Sequence, residues 1–447
     1  MIRQRMQRWM LIPAALLAGL ALAGCSAGPA SAFAPVPGSA IQGRVYGGQQ
    51  PVAFATVQLY ATGSSGYGSA STALITSSSA GAAYPIKTDA SGNFTISGDF
   101  NCPTLSSTPV YLVVTGGYPT SQPNPNLALM AALGPCGGLS GISFVNVNEI
   151  TTVASVWALS PFMTGITNIG TSSTNALGLA NAFAAVNKMV NIATGTVSGP
   201  ALPSGATLPT DEINGLGDIL AACVNSGGGT DNDGSNCGTL FHNAKPGSTA
   251  PTDTVTAAMN IAQNPSLNVS ALFGLISSAG SVFATNLTLA NVNAWTIAIN
   301  YTGVGLNKPN GIANDANGNV WLPNSGSGAN SVTELSSTGA AAQSGSTGYT
   351  AGPMSAPSAI AIDASGNAWV TNSGNATITK LNSTGTTGTV YSGNGLSTPN
   401  SIAFDSAGDI WVVNAGSVSA FTSSGGTIGN FTTGGISAPV GIAIDPQ

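Results

Sequence analysis

The chain has 447 residues, of which 43% are hydrophobic and only 5% are charged. Its 9 lysines and arginines against 15 aspartates and glutamates make it acidic, which argues against nucleic-acid binding and against electrostatic attraction to anionic lipid. Sparse charge and 59 glycines favour short strands and tight turns over long surface helices, and the length suggests about three domains.

The N-terminus has the pattern of an export signal. Its first ten residues, MIRQRMQRWM, carry three arginines and no acid, and the apolar run that follows is too short to span a membrane. The residues Leu22-Ala23-Gly24-Cys25 resemble the lipobox of bacterial lipoproteins. The resemblance implies cleavage before Cys25, a lipid anchor on it and display in the cell envelope, with Ser26 favouring the outer membrane. An ordinary signal peptide that ends in a cysteine by chance is the other interpretation.

Residues 26–40 are small and are expected to form a tether, after which the segment 41–147 has the alternating polarity of strands. A strand pair is expected in IQGRVYG and VAFATVQLY across the turn GGQQP. Two more strands are expected around the turn in TDASGNF, and a buried strand in PVYLVVTGG.

This segment resembles the carboxypeptidase regulatory-like domain, a small β-sandwich of prealbumin or carbohydrate-binding-like type. The resemblance implies a non-catalytic structural or recognition module. Tyr46, Tyr60 and Tyr67 would suit sugar stacking there, although an ordinary place in a strand is the simpler explanation. The residues that carry the resemblance are Gly43, Val45, Pro51, Val52, Ala55, Thr56, Val57, Thr88, Asp89, Gly92 and Phe94.

Between residues 148 and 290 the hydrophobic period becomes that of helices. Four to five helices are expected, one of them in TDEINGLGDILAAC with Thr210 as its cap. Glu149 lies near the first helix start, where a carboxylate that favours the helix dipole is a better interpretation than a catalytic acid. His242, the only histidine, is expected to lie in a loop or at a helix end.

If Cys25 is lipidated, four cysteines remain, an even number that predicts two disulfides in an exported chain. Three pairings are possible, and short loops favour Cys102–Cys136 and Cys223–Cys237. A metal site is the competing interpretation, but no pair has CxxC spacing and there is one histidine. No metal and no cofactor are therefore expected.

The segment 291–447 repeats one phrase, for example APSAIAIDASGNAWVTNSG. Successive prolines lie 48, 42 and 40 residues apart, and in each full copy Ile, Asp, Gly and Trp follow the proline by three, six, nine and twelve residues. Each full copy continues into a third strand and a weaker fourth one, which is typical of propeller blades. The aspartate is expected to form a turn rather than to bind calcium. The repeat-defining residues are Pro309, Asp315, Gly318, Trp321, Pro357, Asp363, Gly366, Trp369, Pro399, Asp405, Gly408, Trp411, Pro439 and Asp445.

The repeats resemble the NHL family and the streptogramin (virginiamycin B) lyase group of propellers. VNEITTVASVWAL is typical of exported bacterial proteins with such repeats. The lyase relatives use histidine and glutamate with a divalent cation, whereas this segment has no histidine and one glutamate, Glu334, which is expected to be exposed. Propellers close with about four to eight blades, but only three copies and the start of a fourth are present. AWTIAINY, from Ala294 to Tyr301, is expected to be an outer blade strand. We expect the chain to be a fragment, and completion by blades of a second chain is the other interpretation.

Together these patterns predict a mainly β, multidomain protein with an N-terminal β-sandwich, a central α-helical segment and an incomplete NHL-like β-propeller. We expect a non-catalytic lipoprotein, held to the membrane by its lipid, that contacts an unknown protein or glycan through propeller surfaces. One alternative is a streptogramin-lyase-like enzyme whose catalytic blades are missing from this chain. The other is carbohydrate binding through the N-terminal sandwich.

Overall fold

The structure is a computed structural model that describes residues 37–81, 84–98, 100–103, 105–278, 280, 282–343 and 347–445. It shows a mainly β chain with several separate sheets and a set of helices. The predicted signal and lipobox, including Cys25, lie outside the described residues. Within these ranges, no helix is both long and apolar enough to cross a membrane.

Residues 37–147 form two sheets that share an apolar core. The elements are β1 (Ile41–Gly47), β2 (Gln50–Pro51), β3 (Thr56–Ala61), β4 (Thr72–Ala73), α1 (Ser77–Ala80), β5 (Asn93–Ile96), β6 (Pro109–Thr115), β7 (Ala128–Pro135) and β8 (Val145–Val147). In the first sheet β1 pairs with β2, β5 and β8, and only β8 runs parallel to it. The second sheet is antiparallel in the order β4-β3-β6-β7. Side chains of both sheets, such as Ile41 and Leu112, belong to the same core.

The predicted pairing of IQGRVYG with VAFATVQLY is wrong. β1 pairs with β2, which lies in the predicted turn GGQQP, whereas β3, in the second run, belongs to the other sheet and pairs with β6. The chain changes sheets near Phe54, whose φ of 58° lies in the left-handed region and turns the backbone. The segment TDASGNF also differs from the prediction. Only β5 is a strand there, and Lys87 makes a single bridge to Thr56.

The segment 148–290 covers the other face of the sheet β4-β3-β6-β7. Its elements are α2 (Glu149–Leu159), β9 (Met163–Gly165), β10 (Asn168–Ile169), α3 (Ala176–Met189), β11 (Val190–Asn191), β12 (Thr196–Val197), β13 (Ala206–Thr207), α4 (Thr210–Val224), α5 (Asn236–Asn243), α6 (Thr254–Gln263) and α7 (Val269–Ser278). Val153 of α2 and Ile219 of α4 share a core with Tyr111 and Met130 of the sheet. β7 is therefore buried on both faces, which explains its unbroken apolar run ALMAAL.

The described part of this segment holds six α-helices instead of the expected four to five. α2 starts with a capping box, in which the side chains of Asn148 and Thr151 each accept a hydrogen bond from the other residue's backbone N–H. The cap predicted for α4 is wrong, because Thr210 is already helical and Pro209 precedes it without a capping side chain.

The repeats form three antiparallel sheets in chain order. The elements are β14 (Asn300–Tyr301), β15 (Ala313–Asn314), β16 (Val320–Asn324), β17 (Ser331–Leu335), β18 (Pro357–Ile362), β19 (Ala368–Asn372), β20 (Thr377–Leu381), β21 (Gly388–Ser392), β22 (Ser401–Phe404), β23 (Ile410–Val413), β24 (Val418–Phe421) and β25 (Thr427–Phe431). β15–β17 are the first repeat sheet, β18–β21 the second and β22–β25 the third. One apolar cluster joins the first sheet to the second, and another joins the second to the third.

AWTIAINY is not the blade strand that the sequence predicts. Only Asn300 and Tyr301 form a strand, β14, and it pairs with β13 of the helical segment. Trp295 is fully buried in the helical core, which draws the rest of this stretch away from the repeat sheets. The stretch therefore connects the helices to the repeats and adds no strand to a repeat sheet.

Candidate functional site

The first two strands of each repeat sheet are joined by a turn built on the repeat aspartate. In the second sheet, Oδ1 of Asp363 accepts hydrogen bonds from the backbone N–H groups of Ser365 and Asn367, both at 2.9 Å. Gly366 has a φ of 81°, in the left-handed region that glycine tolerates best. The same turn is built by Asp315, Gly318, Asp405 and Gly408.

The other carboxylate oxygen of each aspartate binds the repeat tryptophan. Oδ2 accepts from the indole Nε1 at 3.3, 3.0 and 2.9 Å in the three successive sheets. In the third sheet, the hydrogen bond from Trp411 is the main cause that lowers the pKa of Asp405. These bonds give each repeat carboxylate a structural partner inside its own sheet. The repeat aspartate therefore forms the predicted turn and also binds the tryptophan of the following strand.

The repeat prolines share a strained backbone on their N-terminal side. The preceding residue has a φ between 45° and 49° in all four copies, a left-handed conformation that is unusual outside glycine. These residues are Lys308, Ala356, Thr398 and Ala438, before Pro309, Pro357, Pro399 and Pro439. The carbonyl of Pro399 accepts from Ser358 Oγ at 2.6 Å, and that of Pro439 from Asn400 Nδ2 at 3.1 Å. The fourth copy therefore starts in the same way, although its described residues, up to Asp445, form no strand.

Each repeat sheet has two apolar faces of different composition. One face, here called the Trp face, presents the tryptophan with a stacked aromatic ring at 5.1 to 5.7 Å. The stacked pairs are Trp321 with Tyr349, Trp369 with Tyr391 and Trp411 with Phe431. The opposite face, here called the Ile face, presents the isoleucine three residues after the proline, namely Ile312, Ile360 or Ile402. The Trp face of one sheet packs on the Ile face of the next.

The two ends of this stack are left uncovered within the described residues. Ile312, on the Ile face of the first sheet, is 67% exposed, whereas Ile360 and Ile402 are only 7% and 8% exposed. At the opposite end Trp411 is half-buried and Phe431 is 44% exposed. Ile312 thus differs in burial from its equivalents Ile360 and Ile402, each of which packs against a neighbouring sheet.

The Ile face of the first sheet, together with Tyr301 and Leu306 of the connecting segment, lines an apolar groove of about 390 Å³. Its apolar lining includes Pro309, Ile312, Val320, Leu322 and Leu335. Such an exposed apolar strip on a sheet is typical of a contact surface. A second cavity, of about 490 Å³, lies beside the same sheet and is lined by glycine, serine, threonine, asparagine and aliphatic residues, with no ionisable side chain.

A buried asparagine follows each repeat tryptophan by three residues and was not predicted from the sequence. The three, Asn324, Asn372 and Asn414, are all fully buried. Nδ2 of Asn372 donates to the hydroxyls of Thr377 and Thr379 on the neighbouring strand, at 3.1 and 2.9 Å. The equivalent bonds recur in the other two sheets. The recurring spacing W-x-x-N is the signal that indicates these residues.

The expectation that Glu334 is exposed is wrong, since it is only 6% exposed. Its Oε1 accepts from Asn319 Nδ2 at 3.0 Å and its Oε2 from the Tyr349 hydroxyl at 2.7 Å. Burial is the main cause that raises the pKa of Glu334, and the charge of Asp315 adds to it. The long side chain reaches these two partners inside its own sheet, so the only glutamate of the repeats supports the fold.

Glu149 is the first residue of α2, as predicted, and it is fully buried. Both of its carboxylate oxygens accept the N–H of Gly48, at 2.9 and 3.0 Å, in the turn between β1 and β2. Burial raises the pKa of Glu149 to about 8, and the nearby Asp218 contributes to this. Asp218 is also buried, and one of its oxygens has no hydrogen-bond partner. Glu149 thus links the first sheet to the helical core.

His242 lies in the last turn of α5, consistent with a helix-end position. Its Nδ1 is 3.0 Å from Asp231 Oδ1, and Nζ of Lys245 is 2.5 Å from Oδ2 of the same carboxylate. All three side chains are partly exposed to solvent. Within the described ranges, no group of three or more His, Cys, Asp or Glu side chains is placed to hold a metal ion.

The cysteine pairs favoured by the short-loop argument lie at bonding distance in the structure. Cys102 is joined to Cys136, and Cys223 to Cys237. The first pair belongs to the core between the two N-terminal sheets, and the second links α4 to α5.

The three tyrosines considered for sugar stacking do not form one platform. Tyr46 lies on β1 and Tyr60 on β3, which belong to different sheets. The ring of Tyr60 stacks on Tyr111 at 5.6 Å, and the ring of Tyr67 stacks on Phe162 at 5.6 Å. The rings of Tyr60 and Tyr67 are therefore each stacked on another aromatic ring, and the guanidinium of Arg44 lies over the ring of Tyr46 at 5.3 Å.

No protein-family model and no curated protein matches this chain. Solved structures similar to part of it include a streptogramin B lyase, at 24% identity over 31% of this chain and 44% of that chain, with a TM-score of 0.26. A catalytically inactive virginiamycin B lyase from Staphylococcus aureus with quinupristin is 20% identical over 32% of this chain and 47% of that chain, with a TM-score of 0.27. A nidogen/laminin complex is 16% identical over 33% and 55%, with a TM-score of 0.27. The chain spans less than half the length of either lyase.

Proposed function

We propose that this chain is a non-catalytic binding or scaffold lipoprotein of the bacterial cell envelope. Its three repeat sheets are blades of an incomplete NHL-like propeller, and their uncovered faces contact a protein or a glycan. The segment 41–147 is a β-sandwich that carries the helices and the repeats. A lipid on Cys25, followed by the tether 26–40, holds the protein to the membrane. Ser26 after the lipidated cysteine favours the outer membrane.

The observation that carries this proposal is the exposure of Ile312 at 67%, against 7% for Ile360 and 8% for Ile402. All three occupy the same position of the repeat, and among the described residues a neighbouring sheet lies against Ile360 and Ile402 but not against Ile312. Burying an isoleucine side chain contributes about 1.5–3 kcal/mol. A partner that covered this face would therefore stabilise the complex by burying its apolar side chains.

The arrangement of the acids and of the histidine supports a non-catalytic role. Glu334 is hydrogen-bonded inside its sheet, and each repeat aspartate binds its own tryptophan. His242 pairs with Asp231 on the surface of the helical segment, and no hydrogen bond joins it to a described cysteine or serine. A function has to be argued from a specific site, and the candidate sites among the described residues are the exposed faces of the repeat sheets.

Site-specific photo-crosslinking in the native envelope tests this proposal. A photoreactive amino acid is placed at Ile312, at Phe431 or at Leu105, which is an apolar residue 70% exposed in the N-terminal part. We expect discrete crosslinked species from the first two positions and none from Leu105. Equal yields from all three positions would contradict a role of the repeat faces in binding.

A further inference from the structure

We propose that an exposed pair of aromatic side chains in the N-terminal segment, Phe54 and Tyr118, binds an uncharged sugar residue of a glycan. This pair includes none of the three tyrosines considered above for sugar stacking. It lies on the two N-terminal sheets and not on the repeats, so it is a second contact site, separate from the repeat faces of the proposed function.

The two rings form an open corner. Phe54 is 54% exposed and Tyr118 is 44% exposed. Their ring centroids are 6.1 Å apart and their planes meet at 84°. Phe54 lies in the loop between β2 and β3, and Tyr118 in the loop between β6 and β7. A ligand that lies on the face of one ring is therefore flanked by the other ring.

Backbone hydrogen bonds hold this corner in place. Ala53 and Tyr118 each accept the other's backbone N–H, at 3.2 and 2.8 Å. The N–H of Phe54 donates to the carbonyl of Thr88, a buried residue, at 3.1 Å. A Cβ atom at Gly117 would lie 2.8 Å from the carbonyl oxygen of Ala53, so glycine is needed for the two loops to come this close. Because the loops are already ordered, binding does not have to order them.

Phe54 has a backbone conformation that is unfavourable for an aromatic residue. Its φ of 58° lies in the left-handed region, where a bulky side chain is a genuine outlier. Among the described non-glycine residues with such a φ, it is the only aromatic one. Glycine or asparagine would adopt this backbone with less strain. Since Phe54 is more than half exposed, burial within the fold offsets little of the strain, and the ring is left available for a contact outside the fold.

The chemistry of the corner favours a sugar. The face of an aromatic ring carries negative partial charge, and it attracts the apolar, slightly positive C–H groups on one side of a sugar ring. The hydroxyl of Tyr118 makes no hydrogen bond to a described residue, so it is free to bind a sugar hydroxyl as donor or acceptor. The loop segments 51–57 and 116–124 contain no charged residue. They therefore provide no ion pair for a charged group, which favours an uncharged sugar.

The size of the corner favours a sugar over a protein. Neither Phe54 nor Tyr118 has a ring contact with any further described residue. Two half-exposed aromatic side chains offer about 200 Å², because each buries about 150–250 Å² when it is fully covered. A stable protein interface covers about 800 Å² on each partner. Two rings are enough for one sugar residue but are only a small part of a protein interface.

The test measures binding of the full chain, in detergent micelles, to the uncharged oligosaccharides maltohexaose, cellohexaose, chitohexaose and mannohexaose. Titration calorimetry gives the affinities. We expect the wild type to bind at least one of them, and Phe54→Asn and Tyr118→Ala to bind it at least about tenfold more weakly. Tyr118→Phe keeps the ring and removes the hydroxyl, so its loss should be smaller than that of Tyr118→Ala.

Stability measurements separate a lost contact from a lost fold. Asparagine tolerates the left-handed backbone, so Phe54→Asn should melt no lower than the wild type in circular dichroism while its binding is lost. Tyr67→Ala is the matched control. Tyr67 is an exposed aromatic residue at 59%, but its ring stacks on Phe162, and its removal should leave sugar binding unchanged.

Three results would overturn the proposal. They are a wild type that binds none of the oligosaccharides, binding that Phe54→Asn and Tyr118→Ala leave unchanged, and an equal loss in Tyr67→Ala. A photoreactive amino acid at Tyr118 that captures a protein, without any sugar binding, would make the corner a protein contact and would also overturn it. Crosslinking at Ile312 and Phe431 tests the proposed function separately, so either idea can fail while the other stands.

Discussion

The indole N–H of Trp369 donates to Oδ2 of Asp363 across 3.0 Å, and this bond joins the turn of the second repeat sheet to its second strand. Trp369 is only 1% exposed, and its indole N–H has the Asp363 carboxylate as its hydrogen-bond acceptor in the folded chain. A buried donor left without a partner costs about 1–3 kcal/mol. Because the same bond recurs in all three sheets, it is part of how each repeat is built.

Replacing Asp363 by alanine should lower the free energy of unfolding of the repeats by about 2–4 kcal/mol, since the indole and two backbone N–H groups lose their acceptor. Asp89→Ala is the matched control. Asp89 accepts the same two backbone N–H groups, from Ser91 and Asn93, but binds no tryptophan. Asp89→Ala should therefore lower the free energy of unfolding clearly less than Asp363→Ala. Urea denaturation followed by tryptophan fluorescence and circular dichroism measures both, and equal losses would mean that the indole bond contributes nothing.

Glu149 should make the protein less stable as the pH rises. Burial raises its pKa from 4.5 to about 8, so between these values the folded chain holds a proton that the unfolded chain has lost. The stabilisation from this group is complete below about pH 4.5, falls through the interval and is lost above about pH 8. Urea denaturation at a series of pH values measures this slope.

The variant Glu149→Gln serves as the control for that slope, because glutamine resembles the protonated acid. It should match the wild type at low pH and exceed its stability near pH 8. A smaller slope should remain, since burial raises the pKa of Asp218 as well. A variant whose slope equals that of the wild type would show that Glu149 does not titrate in this interval.

Reduction of the disulfides should loosen the N-terminal and helical parts and leave the repeats unchanged. The bonds close chain segments with sequence separations of 34 and 14, and loops of this size contribute about 3–4 kcal/mol each. Residues 295–447 contain no cysteine. Hydrogen exchange with and without reductant checks this, and faster exchange in the repeat strands would contradict it.

The change Cys25→Ser should abolish lipid labelling and release the chain from membranes, because only the lipid is expected to hold it there. Metabolic labelling with a fatty acid and fractionation of the envelope measure the two effects. Cys102→Ser is a useful comparison, since it removes a cysteine without touching the lipobox. Persistent membrane attachment of Cys25→Ser would refute the lipid anchor.

The repeat pattern was predictable because its contacts are local in the chain. Asp363 binds residues two, four and six positions later, so the spacing of Asp, Gly and Trp carries the turn in itself. The same holds for the start of α2, where Asn148 and Thr151 cap each other three residues apart. Short loops also favoured the two cysteine pairs that the structure joins.

Other features depend on partners far away in the sequence. β3 follows β1 in the chain but pairs with β4 and β6 in the second sheet. The alternation of residues within β3 does not indicate which strands it pairs with. Glu149 meets Gly48 across 101 residues, and Glu334 reaches Tyr349 only once its sheet has formed.

The sequence by itself determined the repeat unit, its turns and the helix-forming segment, because each of these follows from residues that lie close together in the chain. The tertiary structure decided which faces of that unit are covered. Ile312, Ile360 and Ile402 are the same residue in the same pattern, yet only the first is exposed. Burial depends on what packs against a side chain, and at the two ends of the stack no described sheet does so.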